Sequence, residues 1–465
     1  MNVGYCPQKH ETIVAISTAQ GPGALALIRI SGPEALTVCE PAIKSKSGKS
    51  LFDISSHTLF AADFVSDNNL IDHCMVAVMK GPRTFTGYDT IEITCHNNRF
   101  IIQGIIDAII RLGARPAAPG EFSRQAYQNN KIDLVQVEAI NELIGAQTQE
   151  SLKKSLAQLK GSLSATVQEI EDLLLKALAW CESSFEFLDD EGDFYQEIAQ
   201  FLIRIQSTIE PILAGFAVQK HIRQGLRVSL IGSVNAGKSS LFNLLIGQKR
   251  AIVTPLAGTT RDSIESTVFM AEKTITFIDT AGLRTTADII EKEGIERSYS
   301  EAHASDVILL IFDGSRAIRQ EEAIIYTDLI ARYSQKIVFV QTKADLVDKK
   351  HSFFQDTGYT PIIVATTDVT AKKSIEQALA LKIALLTQRH ELPFLVNRRH
   401  YELLQAAQQD INAILAMLQR AAGSPHYELI AYHIRQALEQ ISQITGKTAS
   451  EMALDRVFKE FCVGK

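Results

Sequence analysis

The 465-residue chain contains no run of about 18 apolar residues, so no membrane-spanning helix is expected, and it shows no internal repeat or low-complexity stretch. Its first residues, MNVGYCPQKHETIVAI, lack the apolar core and small-residue cleavage site of a secretory signal, which makes a cytoplasmic protein the expectation. The six cysteines, Cys6, Cys39, Cys74, Cys95, Cys181 and Cys462, form no C-x-x-C pair. Neither a zinc site nor a disulfide framework is therefore expected, and a reducing compartment fits. Positive charge is not in excess either. A formal net charge of -6 argues against a protein covered in nucleic-acid-binding surface, although a local basic patch can still bind RNA. With 46% hydrophobic and 22% charged residues the chain is not mainly disordered, and its length suits roughly two to four domains.

Proline is missing throughout residues 120–210. There, apolar residues recur at helical spacing, first Leu152, Leu156, Leu159 and Leu163, then Ile170, Leu173, Leu174, Ala177 and Leu178, which predicts long amphipathic helices. The same texture returns from about residue 398, where Pro425 is the only proline. The acidic run FLDDEGDF, residues 187–194, reads as a solvated turn at a helix end. Residues 10–120 instead mix β-rich runs (ETIVAIS, LALIRISG, CMVAVMKG, TIEITCH) with one apolar helix candidate at residues 99–112. Residues 220–388 alternate β-rich runs (RVSLIGS, TITFIDT, VILLIFDG, KIVFVQT, PIIVAT) with helical segments, the pattern of a parallel doubly wound sheet. The expected fold is multidomain, α/β plus α: an N-terminal α+β domain at residues 1–125, helical segments at 126–219 and 389–465 that pack into one discontinuous bundle, and an inserted α/β domain at 220–388.

Residues 232–239, Gly-Ser-Val-Asn-Ala-Gly-Lys-Ser, satisfy G-x-x-x-x-G-K-[ST] between a strand and a helix. In such a P-loop the backbone N–H groups face phosphate oxygens, here those around Asn235, Ala236, Gly237, Lys238, Ser239 and Ser240. Lys238 reaches the β- and γ-phosphates and Ser239 ligates Mg²⁺. Asp279, Thr280, Ala281 and Gly282 follow the strand TITFI, where a carboxylate near Mg²⁺ and a γ-phosphate-sensing glycine belong. Thr260, in the segment Gly-Thr-Thr-Arg-Asp of residues 258–262, is the expected second magnesium hydroxyl. Thr342, Lys343, Ala344 and Asp345 follow KIVFVQ, and the Asp345 carboxylate can accept from N1–H and the 2-amino group of guanine, a donor pair that adenine lacks. Thr342 stands where Asn is usual in N-K-x-D, and VATTD, residues 364–368, supplies at best a backbone contact from Ala365. Where a water-orienting Gln would follow Gly282, the chain has Leu283. Asn235 offers a compensation: its side-chain oxygen can ligate a monovalent cation beside the phosphates.

These motifs, with FTGYDTIEI, PGEFS and a terminal FCVGK, resemble the tRNA modification GTPase family MnmE (also called TrmE), and the resemblance spans nearly the whole chain. It implies an N-terminal folate-binding domain that dimerises, a discontinuous helical domain, and an inserted Ras-like G domain whose pairing across the homodimer, with GTP and K⁺ bound, triggers hydrolysis. It also implies that Asn235, Thr254, Leu256 and Thr259 hold K⁺, that Glu291 positions the attacking water that Leu283 cannot, and that Arg284 assists. Arg29, Glu92, Lys131 and Lys465 are the implied folate ligands, for a 5,10-methylene- or 5-formyl-tetrahydrofolate. Cys462 invites a nucleophile reading, but no base is near it in sequence, and a structural or folate-adjacent role stands beside that reading. The implied partners are tRNA and the FAD-dependent MnmG (GidA), in a heterotetramer that modifies C5 of the wobble uridine.

One departure is His96-Asn97-Asn98 where the family commonly has His-Gly-Gly. Asn tolerates positive φ at a cost of about 1 kcal/mol, so the turn is expected to survive. Two short basic groups, Lys153-Lys154 and Arg398-Arg399-His400, are candidate RNA contacts or solvated faces. Two rivals remain open at this point. A ribosome-assembly or other RNA-associated GTPase would not bind folate, and a folate-dependent aminomethyltransferase with a regulatory G domain would transfer its one-carbon unit without a partner.

Overall fold

The computed structural model describes residues 11–19, 21–186, 194–247, 264–270, 273–279, 290–346, 359–365, 369–387, 392–420 and 426–465. The chain divides into two compact units, one of residues 1–144, 155–209 and 397–465, the other of residues 145–154 and 210–396.

The first unit begins with β1 (Ile13–Ile16), β2 (Leu25–Ser31), α1 (Ala35–Cys39), β3 (Ile43–Ser45), β4 (Thr58–Ser66), β5 (Asn69–Met79), β6 (Thr90–His96), α2 (Arg99–Arg111), β7 (Arg115–Pro116) and α3 (Glu121–Gln128). The strands form one sheet in the order β3-β4-β5-β6-β2-β1-β7, antiparallel except for the β1–β7 pair. Alternation sorts the two faces. Ala26, Ile28 and Ile30, with Ile91, Ile93 and Cys95 and with Cys74, Val76 and Val78, pack in one core with Ala35 and Leu36 of α1 and Ile105 and Ile109 of α2. The other face carries two cross-strand rows, Arg29–Glu92–Ala77–Leu59 and Leu27–Thr94–Met75–Ala61. The His96-Asn97-Asn98 turn survives by a route other than the one expected. Asn98 is extended at φ -118° and caps α2 by accepting from the Phe100 amide at 2.9 Å, so no left-handed residue is needed there.

Next come α4 (Leu134–Gly145), α5 (Gln149–Leu159), α6 (Ser162–Glu186) and α7 (Phe194–Gln224), the last containing Pro211 close to the point where the units divide. The run FLDDEGDF falls outside the described residues but for Phe194, the first residue of α7. In α5 the helix is as predicted but its buried face is not. Leu152 and Leu156 are about two-fifths exposed, while Ser151, Ser155 and Gln158 are buried.

The second unit contains β8 (Leu226–Gly232), α8 (Lys238–Ile246), β9 (Ile264–Met270), β10 (Lys273–Asp279), α9 (Ile290–Ala304), β11 (Val307–Asp313), α10 (Gln320–Tyr333), β12 (Ile337–Thr342), β13 (Ile362–Ile363) and α11 (Val369–Thr387). Its sheet runs β13-β12-β11-β8-β10-β9. All seven residues of β11 are buried because helices cover both faces, as a parallel sheet requires. The sheet is parallel except at its edge, where β9 pairs antiparallel with β10. Only two residues separate those strands, too few for a parallel crossover.

The chain returns to the first unit with α12 (Arg398–Arg420), α13 (Tyr427–Thr445) and α14 (Glu451–Lys459). Here the two helical segments, remote in sequence, make one bundle. Ser442 Oγ of α13 donates to Glu171 Oε1 of α6 at 2.8 Å, and Gln206 of α7 reaches Asn412 of α12. A further link is Glu138 of α4. It accepts two hydrogen bonds from Arg399 at 2.9 and 2.8 Å and lies 2.6 Å from His400 Nε2. Arg399 also donates to the carbonyls of Gln443 and Ile444. Two members of the candidate RNA-contacting group are thus engaged by Glu138, His400 buried at 1% exposure and Arg399 partly exposed, while Arg398 is exposed and paired with Glu402. Lys154 lies 3.6 Å from Glu150.

Candidate functional site: a P-loop and a seated C-terminal tail

The strand order reverses between β8 and β11, which pair with each other while their sequence neighbours lie on opposite sides, and a ligand crevice belongs at such a switch point. The P-loop occupies it. Gly232 ends β8 so close to β11 that a Cβ would stand 2.4 Å from the Ile311 carbonyl oxygen, so only glycine fits. Asn235 and Gly237 are left-handed, φ 61° and 85°, which turns successive amides toward one concavity. α8 starts at Lys238 and points its N-terminal end there.

Lys238 is buried, and Nζ donates to the carbonyls of Gly232 and Ser233 at 2.8 and 2.7 Å. Burial lowers its pKa, with Asp279 opposing the shift. Ser239 Oγ donates to Asp279 Oδ2 at 2.8 Å, so β10 and α8 bring together two hard oxygen donors of the kind Mg²⁺ takes. Asn235 and Ser240 are exposed around the same loop. At the far side Lys343 is left-handed at φ 60°, Ala344 donates to the Val364 carbonyl at 3.2 Å, and Asp345 is exposed. This pairing brings Ala365 beside the loop of residues 343–345. Lys343 Nζ is 2.6 Å from Asp313 Oδ2, and although burial raises the Asp313 carboxyl, bonds from Lys343 and Ser315 hold it below the ordinary value.

Thr254, Leu256, Thr259, Thr260, Thr280, Ala281, Gly282 and Arg284 lie outside the described residues. Glu291 lies in the first turn of α9. The sequence reading missed a brace on the P-loop's entry: the Ser233 amide donates to Tyr326 Oη at 2.8 Å, and Arg316, doubly bonded to Glu322, donates to Ser233 Oγ at 3.0 Å. No local motif marks Arg316 or Tyr326.

A second site forms at the opposite end of the sequence. Arg29 and Glu92 are cross-strand partners, with Nε donating to Oε1 at 2.8 Å, and both are partly exposed. The C-terminal residues lie beside them. Ser17 Oγ and Arg29 Nη1 donate to the Gly464 carbonyl at 3.0 and 3.3 Å, and the Phe122 amide donates to Lys465 O at 3.1 Å. Cys462 is exposed, and its carbonyl accepts from the Gly120 amide. Lys131 is an exposed residue just beyond α3. Gly464 has φ 94°, and a Cβ would stand 2.2 Å from the Ile16 carbonyl oxygen. Gly464→Ala is therefore expected to lift the tail off Ser17 and Arg29. Hydrogen exchange at the Phe122 amide should accelerate by about tenfold or more, and unchanged protection would show that the tail tolerates a side chain there.

Fold and site together define a P-loop protein of the guanine-nucleotide-binding class, its G domain joined to an α+β domain and a helical bundle. The chain belongs to the MnmE family: the family model described as the MnmE helical domain matches residues 134–462, and the one described as the GTP-binding protein TrmE N-terminus matches residues 12–131. Proteins called tRNA modification GTPase MnmE are similar end to end. That of Chlamydia pneumoniae is 36% identical, covering 98% of this chain and 100% of its own. Those of Syntrophus aciditrophicus (strain SB) and Bacillus pumilus (strain SAFR-032) are 35% and 34% identical over 98% of this chain and 99% and 100% of theirs. No helix among the described residues is long and apolar enough to cross a membrane.

Proposed function

We propose that the chain is a potassium-dependent GTPase that serves tRNA modification. Its homodimer acts with the FAD-containing MnmG (GidA), as a heterotetramer, to add a carboxymethylaminomethyl or aminomethyl group at C5 of uridine 34. The observation that carries this reading is the pairing, in one chain, of a P-loop site with a C-terminal tail seated against Ser17, Phe122 and Arg29, the cross-strand partner of Glu92. A GTPase with no folate to bind has no use for the second arrangement.

In the G domain Lys238 holds charge against the β- and γ-phosphates, while Ser239, Asp279 and Thr260 present oxygens to Mg²⁺, which neutralises developing phosphate charge when bound. Asn235, exposed on its left-handed turn, offers its side-chain oxygen to K⁺ together with Thr254, Leu256 and Thr259. Glu291 orients the attacking water and Arg284 assists. Lys343, Asp345 and Ala365 frame the base, Thr342 lies behind them in the same motif, and Thr280, Ala281 and Gly282 face the γ-phosphate. GTP hydrolysis drives a cycle of G-domain pairing and takes no part in the carbon chemistry.

In the N-terminal domain Oε2 of Glu92, which Arg29 does not engage, suits the ring N–H and amino group of a pterin, and Arg29, Lys131 and Lys465 supply positive charge for a 5,10-methylene- or 5-formyl-tetrahydrofolate, the one-carbon source. Cys462 borders this site. The exposed Leu25, Leu59 and Met75 on the same sheet face support a second copy as the partner that covers it.

The test is GTP hydrolysis by the purified chain in potassium chloride and in sodium chloride at equal ionic strength. Hydrolysis at least about tenfold faster in potassium is expected, since a cation beside the phosphates supplies charge that the site otherwise lacks. Equal slow rates would remove the cation role of Asn235.

A further inference from the structure

Thr342, the residue that departs from N-K-x-D, is fully buried at the end of β12. Its hydroxyl donates to the carbonyl of Ala236 in the P-loop at 2.7 Å, and the Phe312 carbonyl at the end of β11 lies 2.9 Å away. Its Cβ, Cγ2 and Oγ1 each lie 3.6 Å from where Gly237 would carry a Cβ, so the side chain packs directly under the phosphate loop. A hydroxyl has one hydrogen to donate, and both acceptors in reach are main-chain carbonyls. Guanine presents a donor edge, N1–H with the 2-amino group, and an acceptor edge, N7 with O6. Asp345, exposed beyond the left-handed turn at Lys343, suits the first edge. A buried hydroxyl already spent on Ala236 has nothing to offer the second.

We propose that Thr342 is a positioning residue that ties the base loop to the P-loop and makes no hydrogen bond to the base, so that this chain leaves guanine N7 unread by residue 342 and discriminates through Asp345. The inference rests on the reading of the site as a guanine-nucleotide site. An Asn at 342 would carry a second donor hydrogen, and the Thr gives that up while keeping the tie to the P-loop.

Isothermal titration of the full chain with GDP and with 7-deaza-GDP, which lacks N7, tests both halves. The wild type is expected to bind the two within about twofold of each other. Thr342→Val, which keeps the shape and removes the hydroxyl, should weaken both by the same factor, about tenfold, the scale of one hydrogen bond to a buried carbonyl. Thr342→Ser should restore both. A wild type that binds 7-deaza-GDP about tenfold more weakly than GDP overturns the unread N7, and a Thr342→Val protein with wild-type affinities overturns the tie. A wild type that binds neither nucleotide while retaining its fold overturns the guanine reading itself and this inference with it, an outcome distinct from the other two.

Discussion

Lys238→Ala is expected to weaken GTP binding by roughly two to three orders of magnitude and to abolish measurable hydrolysis. The ammonium is buried between the Gly232 and Ser233 carbonyls, and its burial lowers its pKa, so little water screens it. A unit charge pair about 4 Å apart at an effective dielectric of about 20 is worth roughly 4 kcal/mol, close to a thousandfold in binding constant. Alanine also leaves those two carbonyls without their donor. Titration with GTP and phosphate release in potassium chloride read the two effects. A variant within tenfold of the wild type in both would remove Lys238 from the machinery and leave the loop as a mere turn.

Glu138→Ala should lower the stability of the helical bundle by about 3–5 kcal/mol, because it strands His400 in the interior and takes the carboxylate away from the partly exposed Arg399. Burial alone would raise the Glu138 carboxyl. The charges and hydrogen bonds of His400 and Arg399 outweigh burial and bring it from the ordinary 4.5 to about 2. A carboxyl depressed on folding stabilises most where the unfolded group is already ionised. Its contribution, about 3 kcal/mol, is therefore fully present above pH 4.5 and is lost as pH falls from there through about 2. Urea unfolding followed by the fluorescence of Trp180, the chain's single tryptophan and a residue of α6, reports on the same unit. The wild type should lose its advantage over Glu138→Ala across that acid range. A constant difference from pH 7 to pH 3 would mean that the cluster acts through packing and not through charge.

Much of this protein is written locally. A P-loop is legible because Gly232, Gly237, Lys238 and Ser239 must stand at fixed spacing for amides and side chains to meet one phosphate chain, and the proline-free stretch announces helices because a single Pro costs about 3 kcal/mol in a helix interior. Buried strands such as β11 show themselves as unbroken apolar runs. What the sequence could not settle depends on partners remote along the chain. Leu152 and Leu156 keep the helical period yet face outward, since which face is buried is chosen by what packs against it. Arg399 and His400 look like a surface basic group until Glu138, on another helix, turns them inward. Strand β9, IESTVFM, is secured by its antiparallel pairing with β10 at the sheet edge. The fate of Thr342 was settled by the Ala236 carbonyl, and the seating of Gly464 by the Ile16 carbonyl. The sequence by itself determined the motifs and the elements that carry them, because their geometry is fixed by neighbours along the chain. The tertiary structure decided which side chains were left to meet a ligand, because hydrogen bonds and burial depend on which distant groups the fold brings within reach.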